Sequence, residues 1–212
     1  MVRAAAIAGM VGPVLFATVL LALTVLEYDF MLATGWRPLR DPAGAWPSGL
    51  ALGPYGWAQV ANFVLSGILL MTFAAGLHFG ATAGRGSQVG PVLLFVSGAA
   101  MAFMGFETNP IGSTGPRTLH NLIHDLAFAL FVLTLLPAFF LLWWRFREDM
   151  LWRNHARYTL VTGVLAPLLF LFPGVAYYLF LAVVLAWFEV TAVKLSRASR
   201  FARRYGEDRQ RS

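Results

Sequence analysis

Six long apolar stretches, separated by shorter polar links, set the pattern of this chain. The first covers about residues 4–26, preceded by Arg3 and closed by Glu27. The others cover about residues 57–79, 91–106, 118–144, 158–172 and 175–193. Most approach the roughly 20 residues that carry an α-helix across a bilayer, and the third and fifth are shorter. The first exceeds the apolar region of a cleaved signal peptide, about 7–15 residues, and reads as a retained span. Its Gly9, Gly12 and Pro13 are residues that membrane helices tolerate. Breaks fall where helix-stopping residues gather: Pro110, Gly112, Gly115 and Pro116 before the fourth stretch, and Phe172-Pro173-Gly174 before the sixth. The longest link, Glu27 to Tyr55, carries Tyr28, Trp36, Trp46 and Tyr55, which predicts a loop lying at the headgroup layer. The pattern predicts an all-α polytopic membrane protein: one bundle of six transmembrane helices over residues 1–196, then a tail over 197–212.

Composition agrees. Of 212 residues, 58% are hydrophobic and 12% charged, about half the charge of an ordinary soluble domain. No polar stretch is long enough to bury a core of its own. With no cysteine, disulfides, thiol catalysis, thiolate metal sites and covalently attached haem are excluded.

The formal net charge of +6 says more about orientation than about nucleic acid, for which no reading element is evident. Six spans put the N-terminus, the second and fourth links and the tail on one side. That side receives Arg3, Arg85, Arg145, Arg147, Arg153, Arg157 and the seven basic residues from Lys194 to Arg211, 13 of the 16 lysines and arginines. Arg37, Arg40 and Arg117 fall opposite. The positive-inside rule then predicts a multi-pass protein of the cytoplasmic membrane with both termini inside, and a basic tail meeting anionic lipid.

On this topology the stretch Glu107 to Asp125, ETNPIGSTGPRTLHNLIHD, faces outward and holds the main candidate chemistry. At about 100° per residue, His120, Asn121, His124 and Asp125 share an arc of roughly 140°, with Arg117 pointing into it. Such an arc is expected to turn inward, because ionisable groups in hydrocarbon are costly. Glu27 at the end of the first span, and Gln59 and Asn62 near the start of the second, should reach the same outer layer. The residues would suit a polar pocket for a lipid headgroup, small solute or proton, with His120 and His124 as the ligand or proton-handling pair and Asp125 and Glu107 as carboxylates. They would equally suit a structural hydrogen-bond and ion-pair network. A third reading is a metal site of His120, His124 and Asp125, since histidines at i, i+4 with a carboxylate resemble open zinc sites. Haem is not expected, as both axial ligands cannot come from one helix face.

Elsewhere the polar groups invite structural readings. Gly98, Ala102 and Gly105 form a small-residue stripe that would let a neighbouring helix, or a partner's helix in a membrane complex, approach closely. Glu189 is expected to pair with Lys194 or Arg197, and His78 and His155 to sit at cytoplasmic helix ends.

Taken in order, the first span, the long outer loop, Asn62 with Ser66-Gly67, the glycine-rich third span ending in Phe106-Glu107-Thr108-Asn109-Pro110, and the histidines opening the fourth resemble a known family. This is the set of bacterial and archaeal six-span membrane proteins grouped as domain-of-unknown-function family 998. The resemblance covers about Met1 to Lys194 and implies a six-helix integral membrane protein with no established reaction. In that family the third link often reads Phe-Pro-x-Asp before a histidine, whereas here Glu107 stands near that acidic position. There is a looser likeness to membrane hydrolases that hold zinc with histidines and an aspartate, but these use a third histidine that this outer layer does not offer.

Overall fold

A computed structural model describes residues 1–38, 40, 47–80, 88–110, 113–172 and 174–211, with side chains described as far as Arg200. Trp46, Arg85, Gly112 and Pro173, and the side chains of Arg203, Arg204, Arg209 and Arg211, to which the sequence assigned anchoring, topology or turn roles, lie outside that description.

Among the described residues every regular element is helical: α1 (Val2–Leu26), α2 (Tyr28–Ala33), a 3-10 turn (Ser48–Leu52), α3 (Gly56–Gly80), α4 (Val89–Phe103), α5 (Leu119–Glu148), α6 (Arg153–Leu171) and α7 (Val175–Arg211). In α3, Gln59, Asn62, Phe63, Ser66, Gly67, Leu70, Phe73, Ala74 and Leu77 are buried at helical spacing. The opposite face carries Leu65, Ile68 and Phe79, which are exposed and just as apolar. A helix apolar on both faces suits lipid rather than water outside it. By length and composition α1, α3, α5 and Val175–Arg200 of α7 can cross a membrane, and α4 is a shorter apolar helix. The protein is therefore a multi-pass membrane protein. In α6 the apolar run is diluted by Arg153, Asn154, His155, Arg157, Thr159 and Thr162.

The six long helices close a ring. α1 packs on α3, α3 on α4, α4 on α5, α5 on α6, α6 on α7, and α7 returns to α1. In lipid, helix association rests on close packing and interhelical hydrogen bonds. The α3–α4 seam uses the first: a Cβ on Gly67 would stand 2.5 Å from Gly98 O, and one on Gly98 would stand 2.8 Å from the Met71 amide nitrogen. The Gly98–Ala102–Gly105 stripe is thus spent within the chain, against α3. Between α1 and α7, a Cβ on Gly9 would run into the Phe73 ring and lie 2.8 Å from Ala192 Cβ. Hydrogen bonds tie other seams: the Ser97 and Thr134 hydroxyls at 2.8 Å between α4 and α5, Trp187 Nε1–H to Thr159 Oγ1 at 3.0 Å between α7 and α6, and Arg145 to His78 O at 3.0 Å between α5 and α3.

α4 ends at Phe103, α5 runs on to Glu148, and α7 continues as helix to Arg211. Some sequence expectations are corrected. Trp36 is buried, not displayed at the headgroup layer, because the long link folds back: Met31, Trp36 and Leu50 join the core. His155 sits in the first turn of α6, at a helix end as expected, and is buried there, bonding Thr191 Oγ1 at 2.9 Å. Glu189 makes no ion pair among the described residues, and its Oε2 is buried without a hydrogen-bond partner.

Candidate functional site

The N-terminal end of α5 is fixed by a local polar clasp. Thr118 caps the helix, its Oγ1 accepting the Asn121 N–H at 3.1 Å, as a threonine before an apolar run should. The Thr118 N–H and O–H both donate to Asn109 Oδ1, at 3.4 and 3.1 Å, and Asn109 Nδ2 donates to Pro116 O. Asn109 thus binds the two ends of the α4–α5 link to each other.

One turn on, His124 is buried and joins two helices. Its Nδ1 lies 2.9 Å from both Met104 O and Phe106 O. These carbonyls leave the end of α4, where backbone acceptors lack helical partners. A nitrogen between two carbonyls must carry hydrogen, which leaves Nε2 as the open atom of the ring. Nε2 has no partner among the described residues, and His124 lines a cavity.

That cavity, about 600 Å³, sits inside the ring. All six long helices contribute to its wall, and Pro47, Ser48 and Gly49 border it from the link between α2 and α3. Most of the wall is aromatic or aliphatic, with Phe63, Phe73, Phe180 and Phe188 among its larger side chains. Polar groups gather at the α5 end: Thr108, Asn109, Asn121, His124 and Asp125. Asp125 pairs with Arg117 at 3.1 Å, and Asn121 Nδ2 donates to Asp125 at 3.5 Å. Among the described residues, no lysine or arginine lines the cavity.

The arc expected to turn inward is therefore split. Asn121, His124 and Asp125 reach the cavity; Arg117 stays at the rim, its side chain 71% exposed, and touches the site only through Asp125. His120 is exposed, its ring edge-on to Phe106 at 5.5 Å between centroids. Glu107 is exposed outside the cavity. The split follows from pitch: one turn of α5 faces α4 while the residue four earlier overshoots its end. His120, His124 and Asp125 do not converge, and among the described residues no three His, Cys, Asp or Glu side chains are placed to hold a metal ion.

The other residues expected in the same layer form two separate sites. Asn62 Nδ2 donates to Phe16 O and Gln59 Oε1, both at 3.2 Å, and Asn62 Oδ1 accepts from Ser66 at 3.3 Å. This ladder ties α3 to α1 and leaves Gln59 Nε2 buried without a partner. Glu27, 1% exposed, accepts the Tyr55 N–H at 2.7 Å, while its Oε2 has no partner. Gly53 lies directly over this carboxyl group, where any Cβ would collide with it. Burial raises the Glu27 pKa, and the Tyr55 hydrogen bond only partly offsets this.

Sequence reasoning missed Asn109, Thr118 and the aromatic wall. The cap was readable as a threonine before a periodic apolar run. The wall was not, because phenylalanines facing a cavity and phenylalanines facing lipid look alike in an apolar stretch.

Helices apolar on both faces around an internal cavity define an integral membrane protein of the multi-pass helical class. Within that class the chain belongs to the family described as "Protein of unknown function (DUF998)", whose family model matches residues 10–195. No curated protein and no solved structure matches the chain.

Proposed function

We propose that this chain crosses the cytoplasmic membrane six times, through residues of about 4–26, 57–79, 91–106, 118–144, 158–172 and 175–193, with both termini inside. We further propose that it binds a lipid in the ring's cavity, apolar tail within and head at the outward Asn121–His124–Asp125 end. The orientation is supported by the one-sided distribution of arginine, and the basic stretch from residue 197 would lie against anionic headgroups. The binding reading is carried by one observation, the largely apolar cavity of about 600 Å³ with polar groups gathered at one end. Ligand pockets run on the order of 300–1,000 Å³ and combine an apolar wall with a few convergent polar atoms.

The test is extraction in mild detergent followed by mass spectrometry of bound lipid. The wild-type chain should retain a lipid species that Val132→Trp, which fills the cavity from α5, loses while keeping its helicity. Equal lipid retention by both proteins would overturn the reading.

A further inference from the structure

We infer that the head recognised at this cavity is uncharged and donates hydrogen bonds, that is, a hydroxyl-bearing lipid head such as a glyceride or long-chain alcohol. The inference rests on the lipid-binding reading and deepens it.

It follows from which polar atoms remain open. His124 spends Nδ1–H on Met104 O and Phe106 O, which leaves Nε2 as the open atom of the ring, an acceptor in the tautomer protonated at Nδ1. Asn121 donates one amide hydrogen to Asp125 and keeps a second N–H to donate and Oδ1 to accept. Asp125, as a carboxylate, accepts only. Asn109 is committed on both its amide atoms. The open atoms of the three α5 side chains are therefore mainly acceptors. A phosphate or carboxylate head would meet lone pairs with no cationic side chain on the cavity wall among the described residues. An ammonium head finds its opposite charge already answered, since Arg117 sits 3.1 Å from Asp125. A hydroxyl head meets neither penalty: its O–H can donate to Nε2 or to the carboxylate, and its oxygen can accept from Ser48 or Thr108, which also line the cavity.

The experiment compares four probes of equal chain length, 1-monopalmitoylglycerol, palmitate, hexadecyl phosphate and hexadecylamine, on the full chain in detergent micelles, by bound fraction in native mass spectra. The glyceride should bind at least about tenfold more tightly than either anion or the amine. Asp125→Asn, which leaves Arg117 with no carboxylate, should narrow the gap to the anions about tenfold, and Arg117→Gln should do the same for the amine. Equal binding of all four, or tighter binding of an anion or the amine to the wild type, overturns the head assignment and leaves the cavity reading standing. Refusal of all four probes overturns both. The wild-type ranking decides the matter even if a variant fails to fold.

Discussion

His124 closes the end of α4 from α5: its Nδ1 lies 2.9 Å from Met104 O, and the same nitrogen reaches Phe106 O. One side chain thereby answers two backbone acceptors that α4 cannot satisfy itself. Its role in stability can be separated from any role in binding. His124→Ala should cost about 1–3 kcal/mol, the range for stranding buried polar partners. His120→Ala, at an exposed site on the same helix, should stay within about 0.5 kcal/mol. Thermal or denaturant unfolding in detergent checks both, and equal costs would contradict the clasp.

The α3–α4 seam predicts a steeper response. A Cβ on Gly98 would meet both the backbone and the side chain of Met71, neither of which can yield cheaply. Gly98→Ala should destabilise by about 1–3 kcal/mol, the usual range for overpacking, and Gly98→Leu should prevent recovery of folded protein. Gly115, whose surroundings are open apart from the Ser113 hydroxyl, should accept alanine with little effect. Size-exclusion yield and melting temperature distinguish these.

Glu27 predicts a pH dependence of known sign. Its folded-state pKa is raised, chiefly by burial, above the ordinary value of 4.5. The folded state therefore binds the proton more tightly than the unfolded chain does. The stabilisation is fully present below about pH 4.5 and is lost as pH rises through the raised folded value. Over that window the melting temperature of the wild type should fall relative to Glu27→Gln, which keeps the shape and an acceptor for the Tyr55 N–H without the charge. Parallel pH profiles for the two proteins would contradict this.

The absence of cysteine makes orientation directly measurable. Ser113→Cys, in the exposed α4–α5 link, should react with a membrane-impermeant maleimide on intact cells. Arg200→Cys, exposed on α7, should react only after the membrane is opened. The reverse pattern, or labelling of both from one side in intact cells, would refute the proposed topology.

The helices were readable because lipid imposes one strong rule, a long apolar run for each crossing, and the observed α1, α3 and α5 begin within a few residues of the expected positions. The α4–α5 link and His124 were readable as places where polar groups interrupt that rule. The facing of individual residues was less so. A helical wheel puts His120 and His124 on one arc, yet where the partner helix stops decides which of them is buried, and α4 ends at Phe103. Glu27 and the Asn62 ladder, expected in one layer with His124, do not join it, since depth along the bundle does not fix position around a ring. The Gly98 stripe packs on α3 of the same chain, a pairing that depends on long-range order no local pattern carries.

The return of α7 onto α1 has a consequence for biosynthesis. Of the two helices that meet there, α1 leaves the ribosome before α7. Until α7 enters the bilayer the chamber is a trough open on one flank to surrounding acyl chains, and insertion of α7 is the step that shuts it.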